Sequence, residues 1–198
     1  MTPETFLALC GLAVATLFTP GPNNAMLAAS GARFGFRASL PHLLGVALGF
    51  PAMLLIVGLT LGGLFQASPL FRETLRWAGA AILLWMAWKI ATSGGIETKG
   101  GRTRPMSFAE AVGFQWVNPK GWSMAIAATS QFITPAAPVH TAAITAVVFT
   151  LLGLLSAATW VWLGKAISRW LTTPGRARAF NVTMALLIVL STLELLRG

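Results

Sequence analysis

Six long apolar stretches divide this chain, and no other feature of the sequence limits its fold so tightly. They cover roughly 5–29, 40–64, 71–92, 108–132, 140–163 and 179–196. A helix needs about 20 mostly apolar residues to cross the ~30 Å hydrocarbon core of a bilayer. Only a helix or a closed barrel satisfies every backbone N–H and C=O group there. Composition agrees: 56% of the residues are hydrophobic and 10% are charged, where a soluble domain carries about 25% charged residues. The sequence therefore predicts an all-α polytopic membrane protein. Its six transmembrane helices form a single domain, 1–198, and a soluble enzyme is a poor fit.

The net charge of +9 would point to nucleic acid in a soluble chain. Here the basic residues gather in short connections, where the positive-inside rule accounts for them. Arg33 and Arg37 follow span one. Lys89, Lys99, Arg102 and Arg104 end span three and populate the connection 93–107. Lys165, Arg169, Arg176 and Arg178 follow span five, while the opposite side has only Arg72, Arg76 and Arg197. This asymmetry predicts three cytoplasmic connections and both termini outside. Glu4 stands where a cleaved signal would carry Lys or Arg, so the first helix is expected to be retained. Cys10 has no second cysteine, and His42 and His140 lie far apart. No metal, cofactor or nucleic-acid partner is expected.

Several local signals are structural. Gly45-x-x-x-Gly49 and Gly58-x-x-x-Gly62 let a second helix backbone approach span two. They suit packing within the chain better than a dimer seam, with a homo-oligomer left open. Ser107 and Glu110 form an S-x-x-E capping box before span four. Trp77, Trp160, Trp162 and Trp170 lie near span ends, as an interfacial belt does. Trp85 and Trp88 are expected between helices or toward lipid. His42 and His140 are expected at the two interfaces.

Two motifs interrupt the spans: Thr19-Pro20-Gly21-Pro22-Asn23-Asn24 in span one and Asn118-Pro119-Lys120-Gly121 in span four. Proline inside a helix removes a donor and frees a carbonyl one turn earlier. At membrane depth the freed groups must meet protein or a wet cavity. Both helices are therefore expected to break and restart. Thr19 would cap the first restart, with Pro20 at the first helical position, and Asn118 would cap the second, with Pro119. Each restarted half-helix presents N–H groups and a positive dipole end, an anion site without a charged side chain. Both motifs lie about ten residues from the same face, or about 15 Å deep at 1.5 Å per residue.

The motifs also occupy equivalent places. Each lies in the first span of a three-span half, 1–92 or 108–198, and the two halves run in opposite directions. Paired broken helices in inverted halves are the layout of a transporter site at the bilayer midplane. A lysine at this depth costs about 3 kcal/mol on insertion scales. Lys120 serves either a ligand or the carbonyls freed by the break, and the two roles can coexist. Kinks that merely shape the bundle would explain the prolines, but not Asn23, Asn24, Asn118 and Lys120 together.

Glu4, Glu73, Glu97, Glu110 and Glu194 all lie near span ends or in connections. A net cation would call for a buried carboxylate, so an anionic or zwitterionic substrate is expected. Lys120 and the helix amino ends suit its carboxylate. Freed carbonyls, the oxygens of Asn23, Asn24 or Asn118, or a face of Trp116 or Trp122 suit an ammonium. Proton coupling would need the substrate, Lys120 or a histidine.

The stretch Thr19–Asn24, followed by Arg33-Phe34-Gly35-Phe36-Arg37, resembles the lysine exporter (LysE/RhtB) family of bacterial amino-acid exporters. Asn118-Pro119-Lys120 is similar to that family's second motif. Trp77-Ala78-Gly79-Ala80-Ala81 and the run Trp88–Ser93 resemble its cysteine/O-acetylserine branch. The resemblance covers nearly the whole chain. One departure is Leu84-Trp85-Met86-Ala87, where members often have a glycine.

The resemblance implies export of small neutral amino acids or derivatives across the bacterial inner membrane, driven by the proton gradient. Cysteine and O-acetylserine come first, then homoserine and threonine. The candidate substrate-binding and translocation residues are Thr19, Pro20, Gly21, Pro22, Asn23, Asn24, Asn118, Pro119 and Lys120. A membrane scaffold or assembly subunit would explain the glycine packing, but not a lysine and two breaks at one depth. A membrane-embedded enzyme would need a catalytic set that the sequence does not display.

Overall fold

A computed structural model describes residues 1–61, 69–92, 103–170 and 173–197, and every regular element among them is helical. The helices are α1 (Pro3–Phe18), α2 (Pro22–Ala38), α3 (Leu40–Ile56), α4 (Pro69–Ala91), α5 (Phe108–Gln115), α6 (Pro119–Phe132), α7 (Pro138–Ser168) and α8 (Pro174–Arg197). α3 widens into a π-helical turn over Val57–Leu61. Proline stands in the first turn of α1, α2, α3, α6 and α7. Its missing N–H has no intrahelical partner there in any case. Much of the connection 93–107, with Lys99 and Arg102, lies outside the described residues, as does Gly62.

The outer surface is apolar. Leu7, Leu70, Val139, Leu151 and Trp162 are between 62% and 77% exposed. Trp85 and Trp88 also point outward. A surface this rich in large apolar side chains suits hydrocarbon rather than water. Among the described residues, Leu40–Thr60 and Pro138–Ser168 are each long and apolar enough to cross a membrane. α1 and α2 make a third span when taken as one segment bent by 55°.

One expectation needs correction here. α2 continues past residue 29 and carries Arg33, which therefore sits on a helix rather than in a connection. A kink at Gly35 leads to a last short turn that holds Arg37 and ends at Ala38. Hydropathy marks where apolar side chains stop, not where backbone bonding stops. The helix closes through Gly35, at φ 79°, a left-handed conformation that glycine adopts readily. Ser39 Oγ donates to the Gly35 carbonyl at 2.8 Å and shares a 2.8 Å bond with Ser30. His42, near the start of α3, is only 2% exposed. It belongs to α3, which packs against both α5 and α7.

Glycine seams bring the helices together. On α2, a Cβ at Gly31 would collide with the Val161 carbonyl of α7, and one at Gly164 with the Ala28 carbonyl. On α3, a Cβ at Gly45 would lie 2.6 Å from the Phe108 carbonyl, and one at Gly49 would lie 2.9 Å from Val112 Cα. The Gly45–Gly49 pair therefore packs within the chain, as expected. The capping box also forms, with Ser107 Oγ accepting from the Glu110 N–H at 3.2 Å and Glu110 Oε2 accepting from the Ser107 N–H at 2.7 Å. Arg104 adds two bonds to the same carboxylate, at 2.6 and 3.1 Å.

These contacts surround two larger apolar clusters. One joins α1, α3, α6 and α7 around Leu9, Phe50, Trp122 and Phe149. The other joins α2, α4, α5 and α8 around Met26, Leu83, Phe114 and Ile188. Gly164→Val is expected to lower the unfolding midpoint in detergent, because overpacking costs about 1–3 kcal/mol. Gly113→Ala is expected to be neutral or stabilising, since an added Cβ there meets nothing within 4 Å. Equal melting of Gly164→Val and the parent would contradict the seam.

Candidate functional site

The first break is an extended linker between α1 and α2. Thr19 leaves the helix at φ −65°, ψ 142°. Gly21 is extended, and Pro22 opens α2. The cap is therefore Gly21 rather than Thr19, and the first helical proline is Pro22 rather than Pro20. A residue before proline is driven toward extended backbone. Thr19 and Gly21 both precede prolines, so the restart is delayed. No side chain caps this end.

The second break forms as expected. The N–H groups of Trp116, Val117 and Asn118 bond back to the Gly113, Phe114 and Gln115 carbonyls, tightening the end of α5. Asn118 then turns extended, and its Oδ1 accepts from the Lys120 N–H at 3.2 Å. Pro119 is the first residue of α6.

The polar groups released at the first break find partners on three helices. Asn24 Nδ2 donates to the carbonyls of Leu17 and Thr19, both at 2.8 Å. Ser156 Oγ of α7 donates to the Leu17 carbonyl at 2.8 Å. Lys120 Nζ donates to Thr19 Oγ1 at 2.8 Å, to the Thr19 carbonyl at 3.1 Å and to the Pro20 carbonyl at 3.3 Å. A hydrogen bond to a charged group contributes about 1.5–3 kcal/mol. Three of them offset the roughly 3 kcal/mol of inserting a lysine.

The breaks also exchange side chains. Lys120, just past the second break, holds the linker of the first. Asn23, just past the first break, pairs with Gln115, just before the second. Asn23 Nδ2 donates to Gln115 Oε1 at 2.9 Å, and Gln115 Nε2 donates back to Asn23 Oδ1 at 3.4 Å. Gln115 Nε2 also donates to the Ala111 carbonyl at 2.9 Å, and the residue is fully buried.

A cavity lies between the breaks, α3 and α7. Asn23, Asn24, Asn118, Lys120 and Ser156 are among its polar lining residues, and Phe50, Met124 and Phe149 among its apolar ones. The rings of Phe50 and Phe149 meet edge to face at 5.3 Å. The space open to the centres of water-sized molecules is about 40 Å³. One water needs about 10–15 Å³ by that measure, so the cavity holds about three waters, or about 90 Å³ of liquid. Even cysteine is larger than three waters, so in this conformation the cavity is contracted relative to a whole amino acid.

Of the candidate residues, Gly21, Asn23, Asn24, Asn118 and Lys120 line this cavity. Thr19, Pro20 and Pro22 form the first break and are not among the lining residues, and Pro119 opens the helix after the second break. Trp116 and Trp122 engage each other, at 6.0 Å between ring centroids, and Trp122 Nε1 donates to the Trp116 carbonyl at 2.9 Å. They too are not among the lining residues. Sequence reasoning overlooked Gln115 and Ser156. An amide inside an apolar span was the available signal for Gln115. Ser156 had no such signal, because its partner is 139 residues away in the chain.

An apolar helical bundle with paired helix breaks around a cavity that carries a lysine and three asparagines has the architecture of a membrane transporter. The family model of LysE type translocators matches residues 14–198. This chain belongs to the LysE type translocator family, as its two motifs led one to expect. It is 34% identical over 190 residues to the cysteine/O-acetylserine efflux protein of Salmonella paratyphi A, covering 96% of each chain. It is 35% identical over 191 residues to the protein of that name from Escherichia coli O1:K1, again covering 96% of each. No solved structure matches.

Gln115→Leu is expected to lower the thermal midpoint, because the buried Asn23 amide loses its partner at a cost of about 1–3 kcal/mol. Adding Asn23→Leu should recover much of the loss, since removing both partners is far cheaper than removing one. A double variant that melts lower still would contradict the pairing.

Proposed function

We propose that this protein exports small neutral amino acids and their derivatives across the bacterial inner membrane. Cysteine and O-acetylserine are the first candidates, followed by homoserine and threonine. The reading rests on one observation above all: the Lys120 ammonium bridges to the opposite helix break beside a cavity that both breaks line. The names of the relatives supply the first two candidates, cysteine and O-acetylserine.

In this reading the chain crosses the membrane six times, as inverted halves 1–92 and 108–198 with both termini outside. The crossed exchange supports the inversion, because each break sends a side chain to the other. The substrate carboxylate draws Lys120 away from Thr19 and Pro20 and meets the uncapped amino end of α2. Its ammonium takes the carbonyls that Lys120 leaves. The exchange releases the clasp between the breaks, and the halves rock to open the other face. The membrane proton gradient drives the cycle. With no carboxylate among the described residues that line the cavity, the proton travels on the substrate, Lys120 or a histidine.

The test is efflux of labelled O-acetylserine and cysteine from cells with and without the protein. Export should accelerate with the wild type. Lys120→Ala should slow it by about tenfold or more, with normal membrane insertion. Wild-type kinetics in Lys120→Ala would remove Lys120 from the site. No acceleration for cysteine, O-acetylserine, homoserine or threonine, at good expression, would sink the substrate class.

A further inference from the structure

A glycine within a helix costs about 1 kcal/mol relative to alanine, so a buried one calls for a physical reason. At Gly31, Gly45, Gly49 and Gly164 the reason is the close approach of another backbone. Gly11 and Gly113 are exposed, with nothing within 4 Å of an added Cβ. Gly153 of α7 fits neither group. It is buried, yet an added Cβ would make only ordinary contacts, at 3.7 Å from the Ala47 carbonyl oxygen and 3.8 Å from Ala47 Cα. Packing tolerates a methyl group at this position.

What a methyl group would take is cavity space, because Gly153 lines the cavity. The neighbouring wall is built from the next smallest side chain. Ala47 contributes from α3, and Ala157 contributes from α7, one turn along from Gly153. The charged Lys120 and the amides of Asn23 and Asn118 line the same cavity. A zwitterion held by those groups leaves its side chain to the small and apolar part of the lining.

We propose that Gly153, with Ala47 and Ala157, is the size-setting wall of the substrate cavity and determines how long a side chain the protein exports. The proposal rests on the exporter reading above. When the cavity widens to take a substrate, a thiol or hydroxyl on one methylene makes the smaller demand on this wall. A longer acyl ester, as in O-acetylserine, occupies the space that the missing Cβ of Gly153 leaves. In a close-fitting apolar pocket one methylene discriminates by about 10- to 200-fold.

The experiment measures efflux of labelled cysteine and O-acetylserine for wild type, Gly153→Ala, Ala157→Gly and the control Gly113→Ala, at matched membrane levels. Gly153→Ala should lower the O-acetylserine-to-cysteine ratio by about tenfold. Ala157→Gly should raise the ratio, and Gly113→Ala should leave it unchanged. Ala157→Gly enlarges the cavity, so it tests the wall even if Gly153→Ala folds poorly. An unchanged ratio in both wall variants of an active protein overturns the wall alone. Equal loss of both substrates in a Gly153→Ala protein that melts like wild type does the same. A wild type that moves neither substrate overturns the exporter reading, and the wall with it.

Discussion

The ammonium of Lys120 holds together two helix ends that prolines have interrupted, and the rest of the site is arranged around that contact. Without it, the carbonyls of Thr19 and Pro20 and the oxygen of Thr19 would lose a charged donor. A charge in this setting is tolerable because its partners are fixed in place. Those partners exist because Pro20 and Pro22 prevent the first helix from using its own last carbonyls. The break and the lysine are thus one device. Asn24 and Ser156 complete it by satisfying the Leu17 carbonyl from two further helices.

Around this polar centre the bundle is closely packed. The α2–α7 and α3–α5 seams depend on glycines whose neighbours are backbone atoms. Without a hydrophobic driving force between helices in lipid, such close approach is a principal source of cohesion. The contrast between rigid seams and an exchangeable ionic clasp suits a transporter. In the proposed cycle the seams would keep each part intact while the Lys120 contact breaks and re-forms. Asn23 and Gln115 form a neutral counterpart to that clasp on the other strand of the exchange.

Much of this was legible in the sequence, for definite reasons. A charge and two proline motifs stand out against apolar stretches because lipid punishes each of them. The Ser107–Glu110 box was legible because capping is local. The first restart was misplaced by two residues because two successive residue–proline constraints act in series, and the rule for a single cap does not foresee that. The extension of α2 beyond residue 29 was missed because residues 30–34 are too polar to register as span, although the helix runs on to its kink at Gly35. Gln115, Ser156 and Gly153 acquire their roles only from helices distant in sequence. Their chemistry depends on juxtaposition, which one chain read alone does not reveal.

The central claim is that the two breaks converge on one substrate site. Calorimetric titration of O-acetylserine into the purified protein tests this most directly, with Asn23→Ala disturbing the first break and Lys120→Met the second. The account predicts that wild type binds and that each variant, melting as a folded protein, binds at least about tenfold more weakly, the loss of one charged or buried hydrogen bond. Wild-type affinity in either folded variant would mean that its break stands outside the site, and the account would be wrong.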